Sequence, residues 1–121
     1  MLQVLDDFVD VNLKTVAYGA KLAMRSIERG GSVINLGSFA GLIPMARSSV
    51  YSSLKSAVQT FTRSAAAELA PLGSRVNCVI PGVIRTPMTS NHIDRNEATI
   101  LRGIPMGRVG ETVEVADGIL F

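Results

Sequence analysis

Tryptophan is absent from this chain, and cysteine and histidine each occur once. A lone cysteine cannot close an internal disulfide, so no covalent brace is available to the fold. Cys78 lies in the apolar run "RVNCVI", a setting for a small hydrophobe rather than a reactive thiol. His92 has no Cys, His or acidic partner at ligand spacing, which argues against a metal centre. A dominant charge is missing too. Twelve Lys and Arg stand against ten Asp and Glu, scattered singly, for a formal net charge of +2 and a pI near 9.0. No basic stripe or Arg/aromatic platform is present to suit a nucleic acid. No apolar run approaches the ~20 residues that cross a bilayer. The start, "MLQVLDDFVDVNLK", has neither a basic n-region nor a small-residue cleavage site, so no signal peptide is expected and the expected compartment is the cytoplasm.

What is there reads as globular. Hydrophobic residues make up 47% and charged residues 18% of 121 positions, enough for one small domain. Aromatics are only 5%, so the core must be built from Val, Ile, Leu, Ala and Met. Leu5, Val9, Leu13, Val16, Ala20, Met24 and Ile27 recur at three- and four-residue steps and predict a continuous helix. Asp6, Asp7 and Asp10 suit its first turns and Lys21, Arg25 and Arg29 its end; Gly30-Gly31 stops it. "SVINL", Ser32 to Leu36, is short, β-branched and glycine-bounded, hence a strand.

A second helix starts near Ser48 or Ser49, either of which could cap it. Its apolar stripe is Val50, Leu54, Ala57/Val58, Phe61, Ala65 and Leu69, and Pro71 and Gly73 close it. "RVNCVI", Arg75 to Ile80, lacks alternation and predicts a strand buried on both faces. Residues 83 to 108 read as a mobile loop with one short helix over 94–101. "ETVEVADGILF" restarts a helical pattern. Alternating helices and strands predict an α/β fold with parallel strands, whose ligands sit beyond the strands' carboxyl ends. Both strands end in chemistry-rich loops, "GS" and "PGVIRTPM".

Tyr51 and Lys55 stand one helical turn apart, which puts them on one face with Cβ atoms ~5–6 Å apart. An isolated phenol titrates near 10 and is a weak base at neutral pH. An ammonium beside it favours phenolate by charge attraction, so the pair could serve as a general acid/base. Ser38, at the carboxyl end of the first strand, could donate to a carbonyl oxygen or a developing alkoxide. The Tyr-x-x-x-Lys spacing by itself also fits two ordinary polar residues on a helix. Asn12 could equally be a helix-interior Asn bonded to its own turn.

Taken together, Asn12 in "VNLK", Ser38 in "NLGSFAG", the run "YSSLKSAVQTFTRSAAAELAPLGSRVNCVIPGVIRTPM" and the closing "IPMGRVGETVEVADGILF" resemble the short-chain dehydrogenase/reductase family over nearly the whole chain. The resemblance implies roles. Tyr51 would exchange the substrate hydroxyl proton, and Lys55 would assist it and bind nicotinamide ribose hydroxyls. Ser38 would hold the substrate oxygen, and Asn12 would anchor a water in a proton relay and so belong to the cofactor side as well. "PGVIRT" would be the nicotinamide loop, with Pro81, Gly82, Ile84 and Thr86 towards NADP or NAD. On residue chemistry alone "PG" merely ends a strand and Thr86 is a turn residue. Residues 89 to 103 would be the substrate lid. Leu54, before the lysine, departs from the family's usual small or polar residue, yet it falls on the apolar stripe.

No Gly-rich strand–turn–helix fingerprint occurs, because "ERGGS" follows a helix rather than a strand. The resemblance therefore implies a partial Rossmann-type doubly wound parallel sheet: two strands with flanking helices, a single incomplete domain over 1–121, the N-terminal nucleotide-binding half lying upstream. Two such strands leave edges and apolar faces uncovered, so the isolated chain is expected to be partly unfolded or to aggregate. Two functions compete at this level. One is an NAD(P)-dependent oxidoreductase acting on a small-molecule alcohol or ketone, a homodimer or tetramer when full-length. The other is an inactive truncated subunit-interaction module.

Overall fold

The computed structural model describes residues 2–26 and 29–121. The chain gathers into two compact units, one ending at Ile80 and the second starting at Pro81.

The first unit opens with helix α1, Leu2–Val9, and helix α2, Thr15–Ser26, joined by a π-helical segment, Asp10–Lys14. The sequence predicted one unbroken α-helix here; the structure instead widens one turn around Asn12. The amide of Thr15 bonds the Asp10 carbonyl, five residues back rather than four. Because α1 begins at Leu2, Asp6 and Asp7 fall beyond its first turn, and no acid occupies the position that the helix dipole favours most. Arg25 does lie in the last turn of α2, and Arg29 lies past it in a turn. Ile27, the last residue of the expected stripe, is outside the described residues. Leu5 is 43% exposed, whereas Val9, Leu13, Val16 and Met24 are half-buried and Ala20 is buried.

Strand β1, Ser32–Leu36, pairs in parallel with strand β2, Arg75–Val79, in register from Ser32↔Arg75 to Leu36↔Val79. Helix α3, Ser49–Leu69, crosses between them. Ser48 holds its N-cap position without a side-chain cap bond, so neither serine acts as the expected cap. A 3-10 turn, Ala70–Leu72, ends α3 on Pro71, and Gly73 at φ 68 turns the chain back, a conformation that glycine tolerates best.

Ala65, Leu69 and Val76 form the core, packed by Met24, Val33, Phe61 and Ala66. Val33 and Val76 are register partners on one sheet face, so α2 and α3 converge on that face. Among the described residues of this unit, nothing covers the opposite face. Arg75 and Asn77 of β2 are exposed, as is Leu36 of β1, which corrects the expectation of a strand buried on both sides. Cys78 is half-buried rather than buried. Val50, at the start of the expected α3 stripe, is 42% exposed, while Gln59 and Thr62 are buried polar residues among its apolar neighbours.

The second unit holds helix α4, Ser90–Arg102, and helix α5, Thr112–Leu120. Thirteen helical residues replace the expected mobile loop with a short helix over 94–101. The reason lies partly in burial: Ile93 is 0% exposed and anchors the first turn of α4. A bend at Asn96 (φ −132°) interrupts this polar helix. Helix α5 is capped reciprocally: Glu111 accepts from the N3 backbone while Glu114 accepts from the Glu111 amide at 2.8 Å. No described helix is long and apolar enough to cross a membrane.

Candidate active site

In the first unit, β1 delivers its chain end to the first turns of α3. Lys55 Nζ donates to the Leu36 carbonyl at 3.3 Å, the last residue of β1. One turn later Gln59 Nε2 donates to the Ser38 carbonyl at 2.8 Å. Three residues further, Thr62 Oγ1 accepts from Asn35 Nδ2 at 2.9 Å and donates to the Val58 carbonyl at 2.8 Å. Lys55, Gln59 and Thr62 thus make a polar stripe at helical spacing that clamps α3 to the carboxyl end of β1. Gln59 is 4% and Thr62 3% exposed, so their bonds satisfy groups that would be costly to bury unpaired.

Ser38 has extended backbone and starts a 3-10 turn, Phe39–Gly41; its Oγ accepts from the Ala40 amide at 3.2 Å. The hydroxyl's own proton is then available to an acceptor. Gly41 is required by the approach of this turn to α3. A Cβ there would lie 2.6 Å from Gln59 Nε2, 2.7 Å from the Ser56 amide nitrogen and 2.8 Å from the Lys55 carbonyl carbon. Lys55 Nζ also lies 5.7 Å from the centroid of the Tyr51 ring, within cation–π range, so the two side chains share a face as their spacing implied. Tyr51 and Lys55 are both half-buried.

The four residues of unit one are not all linked. Ser38 and Lys55 are tied to the same strand end, and Tyr51 stands beside Lys55. Asn12 lies in the π segment that packs on α3, but its Nδ2 donates to the Phe8 carbonyl at 3.1 Å, within its own turn. Gln59 and Thr62 went unnoticed in the sequence, although their steps of four and three residues beyond Lys55 mark them as the same helical face.

In the second unit, Ile84 pairs with Gly110 through a short parallel bridge, with Arg85 N to Gly110 O at 2.8 Å and Gly110 N to Val83 O at 2.9 Å. Pro81 is half-buried and Gly82 exposed at the start of this segment. Thr89 Oγ1 gathers the loop: it lies 2.6 Å from the Ile84 carbonyl and 2.9 Å from both the amide and the hydroxyl of Thr86. Arg85 faces three carboxylates, Asp94 at 3.3 Å and Glu97 and Glu111 at 3.9 Å. Arg108 holds Glu114 in a two-pronged ion pair at 2.6 and 2.8 Å. That guanidinium, helped by the Glu111 amide, brings the Glu114 carboxyl down to about 2 from its ordinary 4.5. Among the described residues no His/Cys/Asp/Glu group is arranged to hold a metal ion.

A family model described as enoyl-(acyl carrier protein) reductase matches residues 2–121. The human 3-oxoacyl-[acyl-carrier-protein] reductase is 43% identical over 103 residues, covering 84% of this chain and 42% of that protein. A solved structure, "ElxO with NADP Bound", superposes with a TM-score of 0.84 at 32% identity, covering 95% of this chain and 48% of its own. The keto-reducing LugOII of lugdunomycin biosynthesis does so at 0.88 and 29% identity, covering 98% of this chain and 47% of its own. The chain spans about half the length of the relatives that it matches. Sequence and backbone agree, and the chain belongs to the short-chain dehydrogenase/reductase family.

Proposed function

We propose that the intact natural polypeptide is an NAD(P)-dependent oxidoreductase that interconverts a hydroxyl and a carbonyl group on a small alcohol or ketone, with Tyr51 as acid/base. The observation that carries this reading is the convergence at one strand end: Lys55 bonds the last carbonyl of β1, Ser38 follows it, and Tyr51 lies beside the ammonium. The relatives support the class of reaction, since the human protein and LugOII are reductases and ElxO is solved with NADP bound.

The residues present fit the nicotinamide end of such a cofactor and not its pyrophosphate. Lys55 and the Ile84–Thr86 segment offer donors and acceptors, whereas no Gly-rich loop follows a strand in this sequence. Asn12, Tyr51, Lys55, Pro81, Gly82, Ile84 and Thr86 are the residues proposed to meet NADP or NAD. The chemistry that the dinucleotide supplies when bound is hydride exchange at the substrate carbon.

The chain's own residues supply the rest. In the reducing direction the Ser38 hydroxyl donates to the substrate carbonyl oxygen and holds it, and the Tyr51 phenol passes its proton to that oxygen as it becomes an alkoxide. The Lys55 ammonium steadies the resulting phenolate. In the oxidising direction the phenolate takes the proton from the alcohol. Asn12 would have to release its bond to Phe8 to join a water relay to Lys55. Tyr51→Phe should abolish turnover while largely sparing cofactor binding; unchanged turnover in that variant sinks the assignment.

Val11, Tyr18 and Leu22 are each more than 60% exposed along the first helical stretch, and this favours a second reading as a subunit-interaction surface. That reading predicts co-purification with a full-length relative in the absence of NAD(P)H turnover.

A further inference from the structure

We infer that Thr89 fixes the polarity of the hydrogen bond at Thr86, so that the Thr86 hydroxyl meets its ligand only as an acceptor and selects a carboxamide over a carboxylate. A free threonine hydroxyl can donate or accept, and so would tolerate either group. Here the choice is removed. Thr89 Oγ1 lies 2.6 Å from the Ile84 carbonyl, which can only accept, and 2.9 Å from the Thr86 amide, which can only donate. The single proton of Thr89 is therefore committed to a carbonyl; the other one in reach among the described residues, that of Thr86 at 3.3 Å, is also an acceptor. One lone pair of Thr89 takes the Thr86 amide. The other can only accept, so in the 2.9 Å contact between the two hydroxyls the proton belongs to Thr86.

Thr86 thus spends its one proton inside the protein and turns lone pairs outward. The loop cannot readily swap these roles, because the Thr86 carbonyl is itself held by the Ser90 hydroxyl at 2.6 Å and by the Ser90 amide at 2.9 Å. A ligand group must bring an N–H or O–H to this point. The carboxamide of a nicotinamide ring does; the carboxylate of its nicotinic-acid counterpart brings only lone pairs and a negative charge. Thr89 is a positioning residue, acting through Thr86, and the inference rests on the reading above that Thr86 faces the nicotinamide end.

The test is calorimetric titration of the intact natural polypeptide with NAD and NADP, each beside its nicotinic-acid analogue. The preferred amide dinucleotide should bind about tenfold more tightly than its acid analogue, the worth of roughly one hydrogen bond. Thr89→Val, which keeps the shape and loses the hydroxyl, should bring the two within about twofold, and Thr89→Ser should restore the tenfold preference. A preference that survives Thr89→Val overturns the inference, as does equal binding of both forms by the unaltered protein, which needs no variant to fold. Thr86→Val separates the two levels. Undiminished amide-dinucleotide binding in that variant, or no dinucleotide binding by the unaltered protein, overturns the reading of the loop itself. Weakened binding in Thr86→Val, with a preference that ignores Thr89→Val, overturns the polarity argument alone.

Discussion

A single methyl group at Gly41 should test how the Ser38 turn is seated. The turn Phe39–Gly41 rests directly on α3, and the added Cβ would fall 2.6 Å from Gln59 Nε2, 2.7 Å from Ser56 N and 2.8 Å from the Lys55 carbonyl carbon. Favourable separations for such atoms are about 3.5–4.0 Å, so each contact is short by close to an ångström. The side-chain amide can swing aside, but the two backbone atoms belong to the middle of a helix and cannot. The turn must lift, and the 2.8 Å bond from Gln59 to the Ser38 carbonyl weakens as it does. Overpacking of this kind costs about 1–3 kcal/mol, and each kcal/mol lowers Tm by roughly 2–8 °C depending on chain size. Urea unfolding of the intact natural polypeptide would read the loss, with turnover as a second measure, since Ser38 would shift relative to Tyr51. Gly19→Ala is the internal control. Nothing lies within 4 Å of a Cβ there, in the middle of α2, and alanine in a helix interior is favoured over glycine by about 0.8–1 kcal/mol. If Gly41→Ala unfolds at the parent urea midpoint, the steric account of the turn is refuted.

Ile93→Ala, at a fully buried position of α4, should cost about 2–5 kcal/mol in the same urea measurement; a loss below 1 kcal/mol would mean that α4 is not anchored there. For Glu114 the sign follows from its lowered value of about 2 against 4.5 when unpaired: the ion pair with Arg108 contributes fully above about 4.5 and is lost as pH falls towards 2. An NMR titration of the Glu114 carboxyl should therefore show a midpoint near 2, moving up in Arg108→Gln, and an ordinary midpoint in the unaltered protein would contradict the pairing.

Much of the site is visible in residue order because helical spacing is local. Tyr51 and Lys55 share a face whatever surrounds them, and a strand bounded by glycines places Ser38 at its carboxyl end. The same rule would have found Gln59 and Thr62, but polar residues in an apolar stripe read as ordinary until a buried partner appears. Helix α4 was harder. Its sequence is polar and bends at Asn96, and it is held by Ile93 burial and by the bonds of Arg85 to Asp94 and Glu97, contacts that periodicity does not report. The π turn around Asn12 left no signature either, because the steps of four from Leu5 to Val9 and Leu13 suit an α-helix and a widened turn alike.

The order of residues by itself determined the parallel α/β arrangement and the placement of Ser38, Tyr51 and Lys55, consequences of short-range period and of loops at strand ends, while the family was legible only in the resemblance of the motifs running from Asn12 to the closing helix. Tertiary structure alone decided which bonds those groups make. The clamp of α3 on β1, made by the bonds of Lys55 to the Leu36 carbonyl, Gln59 to the Ser38 carbonyl and Asn35 to Thr62, depends on distances between segments far apart in the chain, and hydrogen bonds are sensitive to a few tenths of an ångström.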